Sequence, residues 1–402
     1  MKGYTHLFSL CIASISITII GCSTPDISDR DVHPNGIDHI DTTLFNNDVY
    51  HFPDDSWIAY DEPSLIGWDE EKLNNIGHLA DSLETAALMV VHKGLLVYDW
   101  GATDEKYLTQ SMRKGLLNSL YGVYWDRGDI NLDATINELG IDDEPPLTEI
   151  EKSATVEHLL QSTSGIYHSA IYELGEWKRE KPERGTHNPG ETWYYNNWGF
   201  NALGTIFEQI TGTGIGSAFN EEIAVPLQMQ DFTPSDVTYI SQSDWSERFS
   251  GGNESIHDAY MFSSSARDMA RYGLLFLNYG QWKNQRILSE EWIHKSWEPV
   301  NIEMYYTLKF GYLWWLFEDG TIYMNADLGF EDDIYFTSGN RGHFVFVIPY
   351  LDLVVVHRVY IKENDFWSQV KRGVFGVYDE VDDQDVYNML RLIREAHPKY
   401  SN

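Results

Sequence analysis

Ser111-Met112-Arg113-Lys114 runs directly into Gly115-Leu116-Leu117-Asn118-Ser119-Leu120-Tyr121. The apolar spacing predicts a helix, with Ser111 and Lys114 three residues apart on one face of its first turn. A serine hydroxyl at its ordinary pKa is a poor nucleophile and needs an adjacent base. A lysine serves as that base when a low-polarity pocket and the positive end of a helix pull its pKa down. The plain structural alternative makes Ser111 a helix N-cap and Lys114 a solvated first-turn residue. A second pair with the same spacing, Ser368 and Lys371, runs into Arg372-Gly373-Val374-Phe375-Gly376, too glycine-rich for a helix interior. Ser111 is therefore the candidate.

Outward from this stretch, the chain reads as strands at two ends with helices between. Pro63–Leu83 has helical apolar spacing at Leu73, Ile76, Leu79 and Leu83. Residues 87–91 and 95–98 flank His92-Lys93-Gly94 as a predicted hairpin. Val156–Gln161, Asn201–Thr211 (closed by Gly212) and Ser265–Leu277 read as helices. Strands return at Gly320–Asn325, Ile334–Phe336, His343–Ile348 and Leu353–Val359, and Asp385–Ala396 reads as a final helix stopped by Pro398. This pattern predicts an α+β domain over residues 58–402. Its sheet would be built from about 85–100 and 320–360, with a helical region at about 111–290 inserted.

Acyl transfer needs a second proton-handling group and donors for the oxyanion. Two downstream stretches offer them. One is Pro189-Gly190-Glu191-Thr192-Trp193-Tyr194-Tyr195-Asn196-Asn197-Trp198-Gly199. The other is Thr337-Ser338-Gly339-Asn340-Arg341-Gly342-His343, a glycine-rich strand entry where a ligand carbonyl can approach the backbone. Most of the aromatics in the first stretch fit ordinary core, and Gly339 and Gly342 also fit a simple turn.

Taken in order, Ser-x-x-Lys, Tyr-x-Asn and a glycine-rich strand entry resemble the layout of the penicillin-recognising serine hydrolases. The resemblance is to the β-lactamase-related group: class C β-lactamases, family esterases and 6-aminohexanoate-dimer hydrolases. It extends over residues 60–360 and includes His158-Leu159-Leu160, Thr163-Ser164-Gly165, Ser264-Ser265-Ala266-Arg267-Asp268 and Gly311-Tyr312-Leu313-Trp314-Trp315. It implies a five-stranded antiparallel sheet packed with helices beside a mainly helical region, the site lying between them. It also implies Ser111 as acylated nucleophile, Lys114 as its activator, and Tyr195, kept anionic or hydrogen-bonded by Lys114, as proton shuttle. Asn197 would orient Lys114 and the substrate. The N–H groups of Ser111 and of Asn340, after Gly339, would form the oxyanion hole, with Arg341 and His343 beside the substrate. The chain departs from the family at Thr337, where lactamases and peptidases carry a lysine or histidine that helps bind a carboxylate; Arg341 is the available substitute. His343 stands where many relatives carry glutamine.

A chain of 402 residues that is 43% apolar and 14% aromatic has the composition of a folded globular protein. Its formal charge of −34 excludes phosphate backbones as partners, because nucleic-acid binding rests on Lys and Arg. No His-Glu-x-x-His and no cysteine cluster is present, so no metal or organic cofactor is expected. No Gly-x-Ser-x-Gly elbow occurs, which speaks against an α/β-hydrolase. At the N-terminus, Lys2 precedes the apolar run Leu7–Ile20, the layout of an export signal. The ending Ile19-Ile20-Gly21-Cys22-Ser23 resembles a bacterial lipobox, so residues 1–21 read as a lipoprotein signal peptide and Cys22 as the lipid attachment point. Ser23 fits outer-membrane sorting; the alternative is an ordinary signal peptide. Only Cys11 and Cys22 exist, leaving no disulfide in the mature chain. Residues 22–57, polar and acidic, read as a tether or as an arm packed on the domain.

The expectation is an exported, lipid-anchored serine hydrolase that cleaves an ester or short amide. The alternatives are a class C-like β-lactamase or D-Ala peptidase, and a catalytically silent protein that binds cell-wall fragments.

Overall fold

The computed structural model describes residues 37–40, 50–83, 85–173, 178–244, 255–302, 304, 308–318, 322–323, 326–360, 381 and 383–401. The export segment, Cys22 and the Ser368/Lys371 pair lie outside them. In chain order the strands are β1 (Ile37–Ile40), β2 (Trp57–Tyr60), β3 (Thr85–His92), β4 (Leu95–Gly101), β5 (Tyr107–Leu108), β6 (Val237–Ile240), β7 (Ala259–Ser264), β8 (Gln281–Trp282) and β9 (Gln285–Arg286). They continue as β10 (Lys309–Phe310), β11 (Trp315–Phe317), β12 (Ile322–Tyr323), β13 (Ala326–Asp327), β14 (Ile334–Gly339), β15 (His343–Ile348) and β16 (Leu353–Val359). The helices are α1 (Glu70–Ser82), α2 (Arg113–Asp126), α3 (Val156–Leu160), α4 (Asn197–Thr211), α5 (Ile215–Phe219), α6 (Ala266–Leu277), α7 (Glu290–Trp297) and α8 (Asp383–Ala396). Among the described residues no helix is long and apolar enough to cross a membrane.

The large sheet has nine strands in the order β1-β2-β4-β3-β16-β15-β14-β11-β10. Its middle, β4 to β14, is the antiparallel set of five that the sequence implies. The five-stranded expectation is corrected at both edges. β10 and β11 extend one side antiparallel, and β1 and β2 extend the other in parallel. The added strands are two to four residues long, too short to show a period of two. Within residues 22–57, the described 37–40 form β1, and His51 N–H donates to Lys93 O at 2.9 Å.

Alternation within the central strands divides the apolar side chains between two cores. Ala87, Met89, Val91, Val345, Val347, Val354 and Val356 face α2, α6 and the helical region. Leu88, Val90, Phe344, Phe346, Ile348, Leu353 and Val355 face α1 and α8. Covered on both sides, these strands read as continuous apolar runs. The β3–β4 hairpin closes on Lys93 and Gly94, both at positive φ (52° and 83°), as a two-residue hairpin turn requires. Helix starts follow capping chemistry: the Ser265 side chain accepts from Asp268 N–H ahead of α6, and Thr155 and His158 form a capping box for α3.

One close approach sets the site. A Cβ on Gly115 would lie 2.3 Å from Thr337 Cγ2, so α2 lies directly against β14 only because residue 115 has no side chain. That contact brings the helix that follows Ser111 to the strand that leads into the glycine-rich turn.

Candidate active site

β5 ends at Leu108, Gln110–Met112 make a single 3-10 turn, and α2 starts at Arg113. Ser111 therefore sits just ahead of the α-helix rather than inside it. The spacing still carries Lys114 back over the serine, and Lys114 Nζ lies 2.9 Å from Ser111 Oγ. The same nitrogen lies 2.5 Å from Tyr195 Oη. Lys114 and Tyr195 are buried, and Ser111 is half-buried.

The pocket around the lysine is aromatic. Nζ stands 4.4 Å from the Tyr195 ring centroid and 4.7 Å from that of Phe200 on α4. Tyr195 stacks on Trp315 of β11 with centroids 5.7 Å apart and meets Phe200 edge-on at 5.0 Å. Burial, and after it the charge of Arg113, hold Lys114 well below the ordinary lysine range. Burial also pushes the Tyr195 phenol up to about 12, against opposing effects of the Ser111 hydrogen bond and Arg113. Burial thus disfavours the ammonium form of Lys114 and the phenolate form of Tyr195.

Tyr194, its neighbour, points elsewhere: its hydroxyl faces Glu173 at 3.4 Å and its carbonyl accepts from Ser162 Oγ at 2.5 Å. Ser162 Oγ also accepts from Asn196 N–H at 3.1 Å, and Asn196 Nδ2 donates to Ile166 O at 2.6 Å. The segment that presents Tyr195 is therefore clamped on both sides. Ser162, at φ 60°, is a positioning group that sequence reasoning missed; it sits one residue ahead of the quoted Thr163-Ser164-Gly165. Asn197 opens α4, buried, but the Lys114 hydrogen bonds go to Ser111 and Tyr195 and none goes to Asn197.

The third segment lies against the first. A Cβ on Gly339 would meet Thr109 O at 2.4 Å and Gln110 Cβ at 3.1 Å, so only glycine fits there. Asn340 follows in an exposed turn, and Arg341 takes φ 74° within it. The turn that carries Asn340 is thus packed on the residues that lead into Ser111. Gln110, just before Ser111, is held at φ 53°, a strained conformation for a residue with a side chain, and Tyr172 Oη–H donates to its Oε1 at 2.8 Å. No sequence signal marked Gln110.

His343 requires a correction as a substrate-side residue. It is fully buried, and its Nδ1 accepts from Arg358 Nε at 3.1 Å. Burial, then the charge of Arg358, keep its ring well below the usual histidine range and neutral. Arg358 also donates to Ser264 O (3.0 Å), Tyr107 O (2.8 Å) and Leu108 O (3.3 Å), tying β16 to the strand that leads into Ser111. His343 belongs to this buried tie beneath the turn. Thr337, in the place of the family cation, is buried with its methyl against Gly115. Among the described residues no three His, Cys, Asp or Glu side chains gather as a metal site.

A large sheet covered by helices, with a lysine held between a serine and a tyrosine, has the architecture of the β-lactamase/transpeptidase-like serine hydrolases. The family model described as Beta-lactamase matches residues 74–358, and the chain belongs to that family. No curated protein sequence matches it. Among solved structures, it is similar to a Bacillus anthracis protein provisionally named a 6-aminohexanoate-dimer hydrolase, with TM-score 0.52 and 18% identity over 75% of this chain and 82% of that one. It is also similar to a D-stereospecific amidohydrolase from Streptomyces sp. (TM-score 0.50, 16% identity, 77% of this chain and 99% of that one). A third is an octameric penicillin-binding protein homologue from Pyrococcus abyssi (TM-score 0.51, 17% identity, 72% and 73%). At these identities the likeness is one of fold.

Proposed function

We propose that the protein is an exported, lipid-anchored hydrolase that cleaves an ester or short amide through a covalent acyl-enzyme at Ser111. The observation that carries the reading is Lys114 Nζ standing, buried, between Ser111 Oγ and Tyr195 Oη, with burial holding its pKa well below the ordinary lysine range. The Lys114 lone pair takes the Ser111 proton as Oγ bonds to the carbonyl carbon. The carbonyl electron pair moves onto oxygen, where the N–H groups of Ser111 and Asn340 receive it. The tetrahedral centre collapses, the bond to the leaving group breaks, and that group takes the proton from the Lys114 ammonium by way of the Tyr195 phenol. Water then attacks the acyl carbon with its proton following the reverse path, releasing the acid and restoring Ser111.

Thr337 favours ester or short amide over penicillin or peptide. A buried threonine packed on Gly115 supplies no cation for a substrate carboxylate. Export and lipidation rest on the run Leu7–Ile20 and on Ile19-Ile20-Gly21-Cys22. Incorporation of labelled palmitate into the wild type but not into Cys22→Ala is the expected result; equal incorporation removes the anchor.

A fluorescent phosphonate and a fluorescent penicillin, each followed by mass mapping of the labelled residue, test the chemistry. Phosphonate on Ser111 with no lasting penicillin adduct is expected, and Ser111→Ala should lose the label while staying folded. A slowly released penicillin adduct would turn the assignment towards a D-Ala peptidase, and fast penicillin turnover towards a class C-like lactamase. Labelling by neither would leave a silent binding protein.

A further inference from the structure

Next to Lys114 stands a buried cation that the mechanism above does not use. Arg113 is 1% exposed. Its Nη2 donates to Asn201 Oδ1 at 2.9 Å, its guanidinium carbon lies 4.4 Å from the Tyr260 ring centroid, and its Nη1 has no hydrogen-bond partner. Among the described residues no carboxylate pairs with it. A buried guanidinium without a counter-ion is an expensive feature, worth several kcal/mol of desolvation that a packed apolar side chain would avoid. The chain has 62 acidic residues against 28 basic ones, yet none of the described ones is placed on this guanidinium.

The placement is specific. Arg113 and Lys114 are consecutive on α2 and dock on consecutive residues of α4, Arg113 on Asn201 and Lys114 over Phe200. The groups facing the two cations are Ser111 from the preceding turn, Tyr195 from the segment before α4, Phe200 and Asn201 from α4 and Tyr260 from β7. None of these is an acid that ionises near neutral pH. In a low-dielectric interior a fixed positive charge on the neighbouring residue of the same helix disfavours a second one.

We propose that Arg113 is an electrostatic positioning residue: its uncompensated guanidinium keeps Lys114 in the amine form, ready to take the Ser111 proton. The same field makes the Lys114 ammonium formed during acylation a better acid, so its proton passes on to the leaving group through Tyr195. The proposal rests on the reading of Ser111 and Lys114 as nucleophile and base. It adds that the base is tuned by a neighbouring charge as well as by burial.

The test is the pH dependence of the rate of phosphonate labelling at Ser111. Wild type should show an acid limb where Lys114 becomes protonated. Arg113→Met removes the charge and should move that limb upward by about one pH unit, lowering the rate at mildly acid pH roughly tenfold while the alkaline plateau holds. Arg113→Lys keeps a cation and should retain the wild-type midpoint. Asn201→Asp covers the case in which Arg113→Met does not fold. It places a carboxylate on the guanidinium at the existing 2.9 Å contact and should shift the limb in the same upward direction. An unchanged midpoint in Asn201→Asp, or in a folded Arg113→Met, overturns the role of Arg113 and leaves the Ser111 assignment standing. Wild type that takes no label at any pH overturns the Ser111 assignment instead.

Discussion

Two parts of this core bury charged side chains and treat them in opposite ways. At α6, Asp268 is fully buried and both of its oxygens are occupied: Oδ1 accepts from Gln230 N–H at 2.7 Å, and Oδ2 from Asp231 N–H at 3.0 Å and Phe232 N–H at 2.9 Å. Its own N–H is capped by Ser265, and its neighbour Arg267 pairs with Asp231. At α2, Arg113 has no acid partner among the described residues, Lys114 is held well below the ordinary lysine range, and Gln110, just ahead of the helix, is strained at φ 53°. A buried charge with its hydrogen bonds met serves the fold. One left unmet weakens the fold, and it persists where it does chemistry.

Removing each charge separates the two roles. Lys114→Met should lower the rate of turnover by about 10² to 10⁴-fold. It should also raise stability by about 1–4 kcal/mol near neutral pH, since a buried amine gives way to an isosteric apolar chain. The sign of the pH effect is fixed by linkage. Between the lowered folded pKa of Lys114 and the ordinary lysine value of 10.5, the unfolded chain binds the extra proton, so wild-type stability rises with pH through that window. The advantage of Lys114→Met is therefore largest at low pH and fades towards 10.5. Denaturant melts of both chains at several pH values measure it, and a variant that is less stable than wild type throughout would break the contrast.

Asp268→Ala should do the reverse. Three backbone N–H donors lose their acceptor, a loss of about 2–5 kcal/mol. Turnover by the fraction still folded should stay within about twofold, because nothing in this cluster touches the site. Melting curves and active-site titration of the same sample report the two numbers. A large fall in turnover per folded molecule would show that the structural region is part of the machinery after all.

The contrast also marks how far the sequence could be read. Apolar spacing and turn or stop residues located the β3–β4 hairpin, α3, α6 and α8, because both are local signals, carried by residues such as Gly94, Met269 and Pro398. The family layout named Ser111, Lys114 and Tyr195, which the fold brings together within 2.9 Å of one nitrogen. The parallel edge formed by β1 and β2 was not legible, since a four-residue strand takes its partner from packing rather than from its own pattern. Arg113 escaped notice for a different reason. It stands at a variable position inside the motif, and an arginine in a helix's first turn reads as solvated until the facing side chains of Asn201 and Tyr260 are in place. His343 was placed beside the substrate by the resemblance alone, which carries no information about the Arg358 that its ring accepts from.

The smallest expected effect concerns the strain rather than the charge. Tyr172 Oη–H donates to Gln110 Oε1 at 2.8 Å, and Gln110, held at φ 53°, directly precedes Ser111. Tyr172→Phe removes that hydrogen bond and leaves the ring. Loss of one neutral hydrogen bond should lower stability by about 1 kcal/mol at most, and relief of strain at Gln110 offsets part of it. Catalysis should be more sensitive than stability. A donor displaced by a fraction of an ångström serves the tetrahedral oxyanion worse than it serves the ground-state carbonyl, so kcat should fall severalfold, to about tenfold, with KM little changed. A rise in KM with kcat intact would place Tyr172 in substrate binding. No change in either would mean that the Gly339 contact with Thr109 and Gln110 holds the nucleophile's turn without help, and the strain at Gln110 would then belong to the fold.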